Sequence, residues 1–129
     1  MKFPDTLTVK RPIYKGSKIV GSKDDPVPAR FYGPLAVQLE GEATNYSKAS
    51  YAVSHRASGL RVLGELTLQQ AIRIAKQLQS DEGWNDPRLT EGHKRETAEL
   101  FARMADLVLQ AKRDHGADAD WNLRKKWRM

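Results

Sequence analysis

Cysteine is absent from all 129 residues, which excludes disulfide frameworks and thiolate zinc sites. That absence suits a reducing compartment, so a cytoplasmic protein is expected. Long apolar runs are missing too. No segment approaches the roughly 18 residues that a membrane helix needs, and the opening MKFPDTLTVKRPIYK lacks the apolar stretch of a secretion signal. The reading is a soluble chain with no membrane partner. There is no G-x-G-x-x-G, no G-x-x-x-x-G-K-[ST] and no G-x-S-x-G, so the common phosphate-cradling and nucleophile-elbow motifs are excluded. Internal repeats and low-complexity segments are lacking as well.

Histidine is scarce, and His55, His93 and His115 fall in three different predicted elements. A metal site needs several converging ligands, so no metal and no cofactor are expected. His93 and Glu96, one helical turn apart, read as a surface pair. His55 reads as a half-buried, hydrogen-bonded residue at a hairpin end, because a general base needs partners that cannot be identified. Asp24-Asp25 and Asp81-Glu82 are adjacent acids in predicted loops, where solvation explains them better than catalysis. Nothing in the chain favours an enzyme.

What the chain does have is an uneven charge. The total is +6. Residues 1–23 hold Lys2, Lys10, Arg11, Lys15, Lys18 and Lys23 against Asp5, a net +5. Residues 122–129 hold Arg124, Lys125, Lys126 and Arg128, a net +4, which leaves −3 for residues 24–121. Clustered cations at both ends suit phosphate contact, because binding there releases counterions. At 40% hydrophobic and 29% charged, the chain is ordinary for a globular protein. Its length suits one domain, 1–129.

The pattern along the chain predicts an α+β fold. Leu7 and Val9 alternate with polar neighbours in an extended segment near 6–14, with Pro12 marking it as an edge strand or one that ends early. Residues 15–30 read as a Gly- and Pro-rich loop, with room for a short strand at Ile19-Val20. Phe31, Leu35, Val37 and Leu39 place a half-buried strand near 30–40, bent at Gly33-Pro34. Tyr51, Val53 and His55, then Leu60 and Val62, alternate across Arg56-Ala57-Ser58-Gly59, which predicts a hairpin of strands near 50–56 and 59–64. Thr67 and Gln70 form a capping-box pattern. A helix over 67–80 follows, with Leu68, Ala71, Ile72, Ala75 and Leu78 as its apolar stripe. Asp86-Pro87 opens a second helix over about 88–115, and Gly116 is its stop. The expected architecture is a three- to four-stranded antiparallel sheet under two C-terminal helices. The basic tail, 117–129, leaves room for a further short helix.

Two features bear on function. The tail from Trp121 to Arg128 interleaves aromatics with cations, and Trp127 beside Arg124, Lys125, Lys126 and Arg128 suits bases stacked on indole with phosphates met by ammonium and guanidinium groups. The hairpin carries Arg56 and Arg61, and two-stranded ribbons fit a major groove. Over residues 30–80 the order of strands and helix is similar to the three-stranded-sheet-plus-helix modules of plant AP2-type factors and integrase arm-binding domains. That resemblance implies DNA reading by a sheet. It includes no diagnostic motif of either family and carries over no residue. The reading is a non-enzymatic nucleic-acid-binding or nucleic-acid-associated protein, for DNA or RNA, using Lys10, Arg11, Lys15, Arg56, Arg61 and the tail. The rival is a small regulator or inhibitor of viral or mobile-element type acting on a host protein. The apolar residues of 98–111 form a stripe wider than one buried face needs, so Phe101, Met104 and Val108 are expected to contact a partner protein or a second copy in a homodimer.

Overall fold

Alternation of apolar and polar residues dominates the first half of the chain, and the computed structural model folds it into five antiparallel strands. It describes residues 3–45, 48–90 and 98–117. The strands are β1 (Asp5–Lys15), β2 (Lys18–Tyr32), β3 (Leu35–Gly41), β4 (Ser50–His55) and β5 (Arg61–Leu66), ordered β1-β2-β3-β4-β5 in one sheet. Each strand therefore pairs with its neighbour in sequence. Among the described residues two α-helices follow, α1 (Leu68–Leu78) and α2 (Ala98–Asp114), with 3-10 turns at Glu82–Asn85 and Pro87–Leu89 between them.

The α+β reading holds, and the sheet is larger than the sequence suggested. Residues 18–29, read as mostly loop, belong to β2, the longest strand. Gly33-Pro34 does not bend one strand. It reverses the chain, with Tyr32 and Leu35 facing each other across the turn and Gly33 at φ 58°. The second helix is also shorter than expected. Asp86 does cap Pro87, its carboxylate accepting from the Arg88 N–H, but only a 3-10 turn results before Thr90. The His93–Glu96 pair lies outside the described residues.

Helix α1 begins as its sequence dictates. Thr67 Oγ1 accepts from the Gln70 N–H at 3.1 Å, and Gln70 Oε1 accepts from the Thr67 N–H at 3.0 Å. Its buried face is Ala71, Ile74, Ala75 and Leu78, so Ile74 rather than Ile72 takes the central place in the stripe. That face meets Leu35, Val37, Val53 and Leu63 of the sheet. Trp84 closes the same core. It is 1% exposed, and its Nε1–H donates to the Leu78 carbonyl at 2.9 Å, at the last residue of α1. A side chain at Gly83 would collide with Met104 and Arg103, so glycine there lets α2 sit close to this turn.

Phe101, Met104 and Val108 recur at i, i+3 and i+7 and turn into this core, 4%, 0% and 1% exposed. The contact expected through them is thereby corrected. Their apolar area is already covered, because α2 packs on α1 and on the Trp84 turn.

The opposite face of the sheet is lined by Leu7, Val9, Ala29 and Ala36, with Val27 and Phe31 packed against them. The sheet curls toward this side, bringing the β1 backbone against the β4–β5 turn. A Cβ at Gly59 would lie 2.6 Å from the Thr8 carbonyl oxygen, and Gly59 has φ 68°, so this contact requires glycine twice over.

Candidate nucleic-acid interface

Beyond this curled base, β1 and β2 continue together as a two-stranded ribbon. Their register runs from Asp5↔Ala29 to Lys15↔Lys18, closed by a two-residue turn with Gly16 at φ 64°. All thirteen residues from Pro12 to Asp24 are exposed, on both faces. Val9 to Lys15 alone spans about 20 Å at the usual rise per residue. An isolated two-stranded hairpin is marginal in water. This one persists because both strands are continuous with the sheet.

Proline sets where the ribbon leaves the sheet. The Phe31 N–H donates across to Asp5 Oδ2 at 2.9 Å, on the β1 side. Strand alternation therefore turns the N–H groups of odd-numbered residues of β2 toward β1, and those of even-numbered residues toward β3. The next residues that could pair with β3 are Pro28 and Pro26, which have no N–H. Pairing stops at Ala29↔Gln38, although β3 runs on to Gly41. Past that point β2 has β1 alone as its neighbour. On β1, Pro12 lies in the same register class, which keeps that edge from extending the sheet.

The ribbon is cationic. Residues 10–25 carry Lys10, Arg11, Lys15, Lys18 and Lys23 against Asp24 and Asp25, a net +3. The register sets Arg11 opposite Lys23 and Lys15 opposite Lys18, with Lys10 opposite Asp24. Like charges directly opposed across strands are destabilising. Between the two cation pairs lie Ile13, Tyr14, Ile19 and Val20, 41–60% exposed.

Of the cations singled out in the sequence, Lys10, Arg11 and Lys15 thus lie on one ribbon, joined by Lys18 and Lys23. Arg61 is elsewhere and is engaged. Its Nε lies 2.6 Å from Glu40 Oε2 and its guanidinium crosses the backbone at Gly64, where any side chain would collide with it. Arg124, Lys125, Lys126, Trp127 and Arg128 lie outside the described residues.

Arg56 occupies a third setting, at the foot of the ribbon. Its guanidinium carbon sits 3.7 Å from the centre of the Phe31 ring, and its Nη1–H donates to the Gly33 carbonyl at 2.8 Å. Its backbone N–H donates to the Pro34 carbonyl at 3.0 Å. Beside this pair opens a cleft of about 660 Å³, walled by Leu7 and Thr8 of β1, Pro34, and Asn85, Pro87 and Thr90 from the 3-10 region. Asp86 also borders it. The Arg88 guanidinium grips that carboxylate at 2.6–3.1 Å, and with the Arg88 N–H holds its pKa at about 2. Comparison with protein-family models, curated proteins and solved structures finds no match to this chain.

His55 lines the cleft floor yet is committed to structure. It is 1% exposed, more deeply buried than the sequence suggested. Nε2 lies 2.6 Å from the Trp84 carbonyl oxygen and Nδ1 lies 2.8 Å from Ser58 Oγ. A carbonyl can only accept, so Nε2 carries the proton. Ser58 Oγ already accepts from the Leu60 N–H at 3.1 Å, which leaves its own hydrogen for Nδ1. Burial pushes the imidazole pKa below its usual value, partly offset by the Trp84 carbonyl. The acid pairs resolve in the same way. Asp81 Oδ1 accepts from the Gly83 N–H and meets Arg103, while Asp24 and Asp25 stand in β2 opposite Lys10 and Val9. Among the described residues no group of three or more metal-ligating side chains converges.

Lys18 and Lys23 were counted in the N-terminal charge cluster but not placed in the site, and Phe31 and Asn85 had no part in the sequence reading of the site. The ribbon had a usable signal in Lys15-Gly16-Ser17-Lys18, a Gly-led two-residue turn between β-branched and aromatic residues. The Arg56–Phe31 pair had none, because it depends on register across three strands.

Proposed function

We propose that the protein binds nucleic acid through the β1–β2 ribbon, with the tail around Trp127 as a second contact, and that it catalyses no reaction there. The observation that carries this reading is the ribbon itself: thirteen consecutive exposed residues on a two-stranded arm with net positive charge. A two-stranded ribbon fits a major groove, and opposed cation pairs suit the phosphates on either side. Such a protein would work in the cytoplasm on DNA or RNA. Among the described residues, no helix is long and apolar enough to cross a membrane.

The exposed Ile13, Tyr14, Ile19 and Val20 favour one other reading, a regulator that presents the ribbon end to a host protein. A salt titration separates the two. Fluorescence anisotropy with a labelled duplex across a range of salt gives the slope of log K against log[salt], whose magnitude is about 0.9 per phosphate neutralised by the protein. Changing Arg11, Lys15, Lys18 and Lys23 together to Ser flattens that slope by about two units or more and weakens binding. Absence of affinity for duplex and single strands at low salt would leave the host-protein reading in its place.

A further inference from the structure

Building on the nucleic-acid reading, we propose that the cleft at the ribbon's foot receives one unstacked nucleotide, its base laid on the Arg56–Phe31 pair. The Arg56 guanidinium is held by two contacts of different kinds, the Phe31 ring at 3.7 Å and the Gly33 carbonyl at 2.8 Å, while its backbone N–H donates to the Pro34 carbonyl at 3.0 Å. A guanidinium fixed in this way is a preformed plane, and Arg planes stack on splayed-out bases much as aromatic rings do. Yet Arg56 remains exposed, so its charge is also open to a phosphate.

The remaining walls fit a nucleotide. Leu7, Pro34 and Pro87 supply apolar surface, and Thr8, Asn85 and Thr90 supply hydrogen-bonding groups. Asn85 is exposed and offers both a donor and an acceptor, as the polar edge of a base requires. The bordering carboxylate, Asp86, is neutralised by Arg88 and so adds little repulsion to a phosphate. A volume near 660 Å³ lies within the roughly 300–1,000 Å³ of small-ligand sites. Position agrees with this. The cleft wall includes Thr6, Leu7 and Thr8, on the strand that continues into the ribbon, so nucleic acid held by the ribbon lies beside the cleft mouth.

The test compares two labelled DNA duplexes, one fully paired and one identical but for a single unpaired thymine, titrated with the full chain. The wild-type protein binds the bulged duplex about tenfold more tightly, the size of one stacking contact. Arg56→Ala removes that preference and, because the charge goes with the plane, also weakens binding to the paired duplex. Arg56→Lys keeps the charge but not the plane, and removes the preference equally. Asn85→Ala, at an exposed site that leaves the Arg56 anchors intact, lowers the preference in part. Equal affinity of the wild type for both duplexes overturns the cleft proposal and leaves the ribbon reading standing. So does a preference that survives both Arg56 variants. Failure to bind either duplex overturns the cleft proposal, and the ribbon reading falls with it when single strands also fail to bind.

Discussion

His55 shows how one side chain can look catalytic and be structural. Its two nitrogens tie the β4–β5 turn to the Trp84 turn, joining sheet to helices through a neutral ring. The folded-state pKa is lowered by burial, so the unfolded chain takes up this proton first as pH falls. The stabilisation is therefore complete above the ordinary histidine value and is lost as pH falls below it, by at most about 1.4 kcal/mol per pH unit. Urea midpoints should fall between about pH 7.5 and about pH 5.5 in the wild type. In His55→Gln they should be lower at the upper pH and nearly flat across that window. A wild-type midpoint that rises on acidification would contradict the neutral assignment.

At the scale of elements, α1 and the β4–β5 hairpin were legible because their signals are local. The Thr67–Gln70 capping box and the Gly59 turn each reside in a few adjacent residues, and both form as read. The stripe of α1 differs from the sequence reading at its centre, since Ile72 and Ile74 are both apolar and only the sheet decides between them. Ile74→Ala should cost about 2–5 kcal/mol as a buried truncation. Ile72→Ala, at a half-buried position, should cost less than half of that. Denaturant midpoints at unchanged m-value measure both, and a larger cost at Ile72 would mean that α1 is rotated from the described packing. Strand β2 was less legible. Pro26 and Pro28 are ordinarily signs of loop, and here they act in a strand with one free edge. Composition reports that proline is present, but register decides what it interrupts.

At the scale of the whole molecule, the body and the ribbon answer to different physics. The body buries Trp84, Leu35, Ile74 and Met104 between sheet and helices, whereas the ribbon from Pro12 to Asp24 buries almost nothing. The charge clusters that suggested nucleic acid were visible in the sequence, and one of them lies on this arm. The Arg56–Phe31 cleft was not visible, because its walls come from β1, the β2–β3 and β4–β5 turns and the 3-10 region, which only the fold brings together. Removal of the arm tests the central claim most directly. Replacing residues 10–24 with Asn-Gly joins Val9 to Asp25, partners in the register whose backbone groups face each other, through a turn suited to a tight hairpin. Since exposed residues contribute little to stability, the shortened protein should melt within about 3 °C of the parent. Its affinity for duplex and single-stranded nucleic acid should meanwhile drop by at least about tenfold at low salt. Full affinity in a folded protein without its arm would contradict the assignment of the ribbon as the binding element.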